Sequence, residues 1–220
     1  MLLKREREKV VDYCRKMVNF GLTKGNSGNV SIFNADEGLM AISPTGMDYF
    51  IVNPVDVVVM DLQGNIIEGD CAPSSEYEMH AIFYRQRPEI GAIMHCHSPF
   101  ATTLASMGQK ILPIHYSLGT CGQDCVELAP YATFGTPELA QAAFDTCKQS
   151  KAVLLSNHGL LACGEDIEEA FYIAENMEFA AEIQYRAMSA GTPIPISPEN
   201  MKKYFEKSRS FGQPNRYKNY

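Results

Sequence analysis

Short β-type runs are joined by tight polar turns at three places in this 220-residue chain, and helical segments lie between these hairpins. The paired runs are residues 29–33 with 39–42, 57–61 with 66–67, and 152–156 with 160–163. Two strands joined by so short a turn are antiparallel, because a parallel neighbour requires a long crossover. The pattern therefore predicts an α/β protein of one domain, with helices packed on a mixed, mostly antiparallel sheet.

Apolar residues at helical spacing predict the segments that pack on this sheet. These segments are residues 4–20, 75–86, 99–107, 136–148 and 167–188. Ser75 and Glu78 form a capping-box pattern, while Thr136 and Asp166 stand where N-caps are expected. A further apolar run, 90–97, is typical of a buried strand.

Charge and composition exclude several classes of protein. The net charge is -7, whereas a general nucleic-acid binder carries a basic excess. No apolar run approaches the roughly 20 residues of a membrane helix, and no apolar segment follows the basic residues at the N-terminus. Seven cysteines without CxxC pairs indicate reduced thiols. We therefore expect a cytoplasmic protein that binds neither nucleic acid nor membrane.

Three of the five histidines have settings that suit a metal site. His95 and His97 are two positions apart in an apolar strand, so both imidazoles point to one face, as zinc ligands could. Alone, such a pair is more often two core histidines. His158, in a tight turn after another strand, makes a three-histidine zinc site with an open catalytic position the better interpretation. His80 and His115 lack comparable settings and are interpreted either as structural residues or as residues that support the site from outside its ligands.

A second cluster of residues suits an anion. Ser74 and Ser75 lie at the start of a predicted helix, where hydroxyls and free N–H groups can bind phosphate. Glu76 lies close enough to act on whatever binds there. Plain N-capping explains the serines equally well when they are considered alone. The polar loops 25–29 and 43–46 can also cradle an anion through backbone amides, although each is a weak signal.

Five motifs occur in the order and spacing of the class II aldolase/epimerase family, which the chain resembles over about residues 5–190. They are Gly28-Asn29-Val30-Ser31, Ile42-Ser43-Pro44-Thr45-Gly46, Pro73-Ser74-Ser75-Glu76, His95-Cys96-His97 and Asn157-His158-Gly159. Segments 114–116 and 129–136 are similar to the fuculose-phosphate aldolase branch. The resemblance implies a single-domain three-layer α/β/α sandwich over residues 1–220, with a tail of about 205–220 covering the site.

The resemblance also implies an activity, namely reversible cleavage of L-fuculose 1-phosphate into dihydroxyacetone phosphate and L-lactaldehyde. It implies one zinc ion per subunit, held by His95, His97 and His158, with Glu76 as fourth ligand in the resting enzyme and as the group that transfers the C3 proton. Tyr116 is implied to act at the site of a neighbouring subunit in a homotetramer. The positions that match phosphate-binding residues are Asn29, Thr45, Gly46, Ser74 and Ser75.

Two alternative functions share this scaffold. L-ribulose-5-phosphate 4-epimerase is similar, but the resemblance implies an aspartate at the position of Glu76 and no counterpart of residues 131–136 in that enzyme. Adducin-type domains carry out no chemistry and act in protein interactions. The presence of all three histidines together with Glu76 favours an enzyme, and the 131–136 segment favours an aldolase.

Overall fold

An eight-stranded sheet forms the middle of the computed structural model, which describes residues 1–208. Its strands are β1 (Asn29–Asn34), β2 (Leu39–Ile42), β3 (Val58–Asp61), β4 (Ile66–Glu68), β5 (Ala92–Cys96), β6 (Leu128–Ala129), β7 (Ala152–Leu155) and β8 (Gly159–Gly164). Their order across the open sheet is β4-β3-β2-β1-β5-β8-β7-β6. All neighbouring pairs are antiparallel except β6 with β7, so the predicted mixed, mostly antiparallel sheet is confirmed.

Helices cover both faces of the sheet. They are α1 (Lys4–Asn19), α2 (Tyr77–Gln86), α3 (Pro99–Ser106), α4 (Pro137–Cys147), α5 (Ile167–Ala190) and α6 (Pro198–Ser208), with a 3₁₀ turn at Tyr116–Cys121. Buried residues of α1, α3 and α5 form one core with the sheet, and those of α2 and α4 form a second. The predicted three-layer α/β/α sandwich is therefore confirmed.

Strand β5 shows how the sheet sorts its side chains between the two cores. Ala92, Met94 and Cys96 belong to the core under α1, α3 and α5, whereas Ile93 belongs to the core under α2 and α4. Because side chains alternate along a strand, His95 lies on the same face as Ile93. The histidine side chain is thereby directed toward the start of α2.

Most helix starts agree with their sequence signals, but that of α2 does not. Thr136 Oγ1 accepts a hydrogen bond from Leu139 N at 3.3 Å, as expected of an N-cap. The capping box predicted at Ser75 is wrong, since α2 begins at Tyr77 and its N-cap makes no side-chain capping bond. Instead, Ser74 N donates to Ser43 O at 3.0 Å, which holds the segment before α2 against the 43–46 loop, and Ser74 Oγ accepts from Glu76 N at 3.2 Å in the turn that leads into the helix.

Two elements have no counterpart in the sequence interpretation. Strand β6 has only two residues, too few for an alternating pattern, and β7 pairs with it in parallel. Helix α6 occupies part of the predicted tail, and its start is marked by Ser197 Oγ, which accepts from Asn200 N at 3.3 Å. The rest of that tail, residues 209–220 with Phe211, Tyr217 and Tyr220, lies outside the described residues.

No helix within residues 1–208 is both long enough and apolar enough to cross a bilayer.

Candidate active site

Strand order brings the three predicted histidines together. Strand β8 pairs with β5 on one side and β7 on the other, so the β7–β8 turn that carries His158 lies beside the end of β5. The nearest ring nitrogens of His95, His97 and His158 all lie within 4.8 Å of one another. His95 Nε2 and His97 Nε2 are 3.1 Å apart. The three imidazoles therefore converge on one point.

Two glycines permit the close approach of loops to the end of β5. A Cβ atom on Gly159 would lie 2.4 Å from Cys96 O and 3.0 Å from a ring carbon of His97. A Cβ atom on Gly28, whose φ of +78° lies in the left-handed region, would lie 2.5 Å from His95 O. Any larger residue at either position would push the surrounding loop away from the histidines.

Glu76 supplies a carboxylate to the same point. Its Oε2 lies 3.3 Å from His95 Nε2, and its Oε1 lies 3.5 Å from His158 Nε2. The residue is only 7% exposed, and within residues 1–208 Oε1 is one of four buried side-chain atoms without a hydrogen-bond partner. Burial of a carboxylate oxygen without a hydrogen-bond donor costs free energy of folding, unless a ligand such as a metal ion binds to that oxygen.

This arrangement fits a zinc ion. Tetrahedral zinc ligands at 2.0–2.1 Å from the metal lie about 3.4 Å from one another. Three of the six separations among these groups are close to this value, namely 3.1 Å between His95 and His97, 3.3 Å from His95 to Glu76, and 3.5 Å from His158 to Glu76, and all three histidine pairs lie within 4.8 Å. His95 Nδ1 hydrogen-bonds to Leu160 O at 3.0 Å, which directs the Nε2 lone pair to the centre.

The protonation states of these groups also suit a cation. Burial, followed by the nearby His95, lowers the pKa of His97 and of His158 to about 4. Burial would raise the pKa of the Glu76 carboxyl, but His95, His158 and the Asn29 amide outweigh it and hold that pKa well below its usual range. At neutral pH His97 and His158 are therefore neutral imidazoles and Glu76 is a charged carboxylate, the forms that bind a metal.

A polar cavity of about 120 Å³ lies on one side of Glu76. It is lined by Asn26, Gly28, Asn29, Pro44, Thr45, Gly46, Ser74, Ser75 and Glu76. All five residues predicted to bind phosphate are in this set, and none of the lining residues is basic. Amide and hydroxyl donors next to the start of α2 are the means by which such a cavity would hold an anion.

Replacing Ser75 by alanine is expected to weaken binding of dihydroxyacetone phosphate by about 1–3 kcal/mol, the free energy of one hydrogen bond to a charged group. Binding of unphosphorylated dihydroxyacetone should change little, because the lost hydroxyl faces the anion cavity. Calorimetric titration of both ligands into both proteins measures the difference. Equal weakening for the two ketones would contradict the assignment of this cavity.

A larger cavity, of about 240 Å³, lies on the other side of Glu76. Its lining residues are Glu76, His97, Tyr131, Ala132, Phe134, Asn157 and His158. The sequence interpretation assigned no role to Tyr131, Phe134 or Asn157, although 129–136 was among the segments that carried the resemblance. Glu76 thus lies on the wall between a polar cavity and a partly aromatic one, next to the three histidines.

Tyr116 lies away from this site in its own chain. It begins the 3₁₀ turn, is 58% exposed, and packs with its ring centroid 5.9 Å from that of Tyr204. The cavity beside it, of about 600 Å³, is lined by His115, Tyr116, Ser117, Thr120, Tyr172, Asn176, Phe179, Tyr204, Lys207 and Ser208. The fold therefore brings together the other predicted site residues but not Tyr116.

Comparisons with known proteins agree with this geometry. The model of the family "Class II Aldolase and Adducin N-terminal domain" matches residues 8–185. The chain is 47% identical to a 5-deoxy-D-ribulose 1-phosphate aldolase of Bacillus thuringiensis serovar kurstaki, over 97% of this chain and 100% of the relative. It is 37% identical to an L-fuculose phosphate aldolase of Haemophilus influenzae, over 93% of this chain and 94% of that protein.

A solved structure of an L-fuculose 1-phosphate aldolase superposes with a TM-score of 0.92. It is 40% identical in sequence, and the match covers 95% of this chain and 98% of that one. Family model, relatives and fold agree, and the site has the groups that a metal-dependent aldolase requires. The chain belongs to the family of class II aldolases and adducin N-terminal domains, as an aldolase.

Proposed function

We propose that this protein is a zinc-dependent aldolase that reversibly cleaves a ketose 1-phosphate into dihydroxyacetone phosphate and a short aldehyde. The observation that carries the proposal is the position of Glu76. Its carboxylate contacts the three-histidine group and also lines both cavities, one polar and one partly aromatic. A phosphate in the first cavity and an aldehyde in the second would place the carbons between them beside this carboxylate.

His95, His97, His158 and Glu76 would hold the zinc ion, which would supply Lewis-acid stabilisation of negative charge on substrate oxygen. The polar cavity would bind the phosphate and fix the position of C3 of the bound ketone. Glu76 Oε1, which is free of hydrogen-bond donors, would then remove the C3 proton or return it. Tyr131 and Phe134 would contact the aldehyde part of the substrate.

The exposed position of Tyr116 supports a role in assembly. A tyrosine hydroxyl outside its own chain's site is available to the site of a neighbouring copy. We therefore propose that Tyr116 acts on the aldehyde-side oxygen across a subunit boundary in a homotetramer. Each subunit would then depend on its neighbour for a complete site.

The relatives support two candidate substrates. Cleavage of 5-deoxyribulose 1-phosphate between C3 and C4 would release acetaldehyde, and cleavage of L-fuculose 1-phosphate would release L-lactaldehyde. The higher identity, 47% against 37%, supports the five-carbon substrate as the first candidate. The fold match to an L-fuculose 1-phosphate aldolase, at a TM-score of 0.92, supports the six-carbon substrate as the second.

Condensation of dihydroxyacetone phosphate with a panel of aldehydes tests this proposal. We expect acetaldehyde to be preferred over L-lactaldehyde by about 10- to 100-fold in kcat/KM, because the extra CH(OH) group of L-lactaldehyde would have to fit against the aromatic part of the cavity, and pocket fit to a group of this size discriminates by about this factor. A preference for L-lactaldehyde would establish the second candidate. Absence of condensation with every aldehyde, in protein that carries one zinc per chain, would contradict the proposal.

A further inference from the structure

A chain of buried hydrogen bonds ends at the Glu76 carboxylate. Tyr84 Oη lies 2.6 Å from Ser31 Oγ, which lies 2.6 Å from His80 Nδ1. His80 Nε2 lies 2.5 Å from Asn29 Oδ1, and Asn29 Nδ2 donates to Glu76 Oε2 at 3.0 Å. All five residues are buried, and His80 is 0% exposed. The chain connects the interior of the sheet to the edge of the site.

Charge at one end fixes the direction of the hydrogen bonds from Ser31 to Glu76. A carboxylate only accepts hydrogen bonds, so the Asn29 amide must present Nδ2 to Glu76 and Oδ1 to His80. His80 must then carry its proton on Nε2, and Nδ1 must accept from the Ser31 hydroxyl. Burial is the main reason that the pKa of His80 is lowered to about 3, which leaves the ring neutral with a single N–H.

This directed chain leaves the two oxygens of Glu76 in different states. Oε2 is held by an amide donor whose orientation His80 fixes, while Oε1 has no donor and lies 3.5 Å from His158 Nε2. Rotation of the carboxylate would break the bond to Asn29 and leave a buried amide unpaired, at the cost of a lost hydrogen bond. The orientation of the carboxylate is therefore determined by the Asn29 amide, which His80 holds from the interior of the sheet.

We propose that His80 is a positioning residue, which acts through Asn29 to keep Glu76 Oε2 fixed and Oε1 directed at the metal and substrate. The expected effect of His80 on proton exchange rests on the proposed function. The expected effect of His80 on metal affinity can be measured without turnover. Asn29 also lines the polar cavity, so the same bond aligns its amide with the bound anion. A buried histidine with a purely structural role would stabilise the fold without these effects.

Three variants distinguish a positioning role of His80 from a role in the stability of the fold alone. His80→Leu removes the donor to Asn29 and keeps apolar bulk, whereas His80→Gln can still present an amide N–H at the former position of Nε2. Phe83→Leu is the matched control, because Phe83 lies on the same helix, is fully buried, and packs on Phe144 away from this chain. The readouts are zinc affinity by chelator competition, exchange of the C3 proton of dihydroxyacetone phosphate, and thermal unfolding.

We expect His80→Leu to weaken zinc affinity and to slow C3 proton exchange by about 10- to 100-fold each, as loss of an outer-shell partner or a misplacement of about 1 Å typically does. His80→Gln should recover most of both losses. Phe83→Leu should lower the unfolding temperature without changing zinc affinity or exchange. If His80→Leu does not fold, Tyr84→Phe and Ser31→Ala each remove one distal hydroxyl, and should reduce both quantities by a smaller factor.

The positioning role is overturned if the foldable variants keep wild-type zinc affinity and exchange. It is also overturned if the losses of zinc affinity and of proton exchange follow the loss of unfolding temperature alone. In that case His80→Gln and Phe83→Leu would show equal losses whenever their unfolding temperatures are equal. Failure of the aldolase proposal would look different, because the wild-type protein itself would then exchange no C3 proton. In that case the differences in zinc affinity among the variants would still decide the role of His80.

Discussion

Replacement of His95 by alanine is expected to reduce zinc content from one ion per chain to nearly none, and to reduce cleavage of the ketose 1-phosphate by at least about 10³-fold. The centre loses one of its converging nitrogens, and the Lewis-acid contribution of a metal amounts to several kcal/mol, with each 1.4 kcal/mol worth a factor of ten. The fold should persist, since a chain of 220 residues buries a sufficient core without a metal. Elemental analysis, circular dichroism and a rate assay measure these three quantities.

His115→Ala is the matched histidine substitution for metal content, because His115 lies beside Tyr116 and does not line either cavity at Glu76. It should keep one zinc per chain. A His95→Ala protein that binds zinc as tightly as the wild-type protein would contradict the assignment of the centre.

The substitution Glu76→Gln is expected to slow exchange of the C3 proton of dihydroxyacetone phosphate by about 10²- to 10⁴-fold, the usual contribution of a general base. Glutamine keeps the size of the side chain but removes the oxygen that accepts the proton. Binding of the ketone phosphate should persist, because the polar cavity retains its amide and hydroxyl donors. Loss of the proton signal in deuterated solvent, followed by NMR, measures the exchange.

Tyr116→Phe provides the contrasting control for the exchange experiment. Its hydroxyl lies outside its own chain's site, and the proposed role is on the aldehyde side. We expect this variant to exchange the C3 proton at the wild-type rate while full cleavage is slowed. Wild-type exchange in the Glu76→Gln protein would mean that another group is the base.

The sequence predicted the histidine cluster because two of the features that bring the histidines together are visible in local sequence patterns. The period of a strand places His95 and His97 on one face, and Asn-His-Gly between two apolar runs predicts the turn of a hairpin. The third determinant, the placement of β8 between β5 and β7, is a long-range pairing that no local pattern contains. The sequence analysis predicted no strand order, and it joined His158 to the other two histidines only from the settings of the three residues and from the family resemblance.

Other parts of the site depend on contacts that sequence patterns do not encode. The start of α2 was misplaced because Ser74 Oγ accepts from Glu76 N and Ser74 O accepts from Tyr77 N, forming a turn before the helix that the capping-box pattern does not contain. His80 could be interpreted only as structural or as supporting the site from outside, since its partner Asn29 is 51 residues away in the sequence. Tyr131 and Phe134 reach the cavity from a loop, where neither helical nor strand periodicity gives a signal.

Release of dihydroxyacetone phosphate from 5-deoxyribulose 1-phosphate and from L-fuculose 1-phosphate, measured before and after metal removal, tests the central claim most directly. The expected result is release by the zinc-loaded protein, loss of release after chelation, and recovery when one zinc ion per chain is restored. Equal rates of release from zinc-loaded and fully metal-free protein would contradict a metal-dependent aldolase. So would a zinc-loaded protein that releases dihydroxyacetone phosphate from neither ketose 1-phosphate.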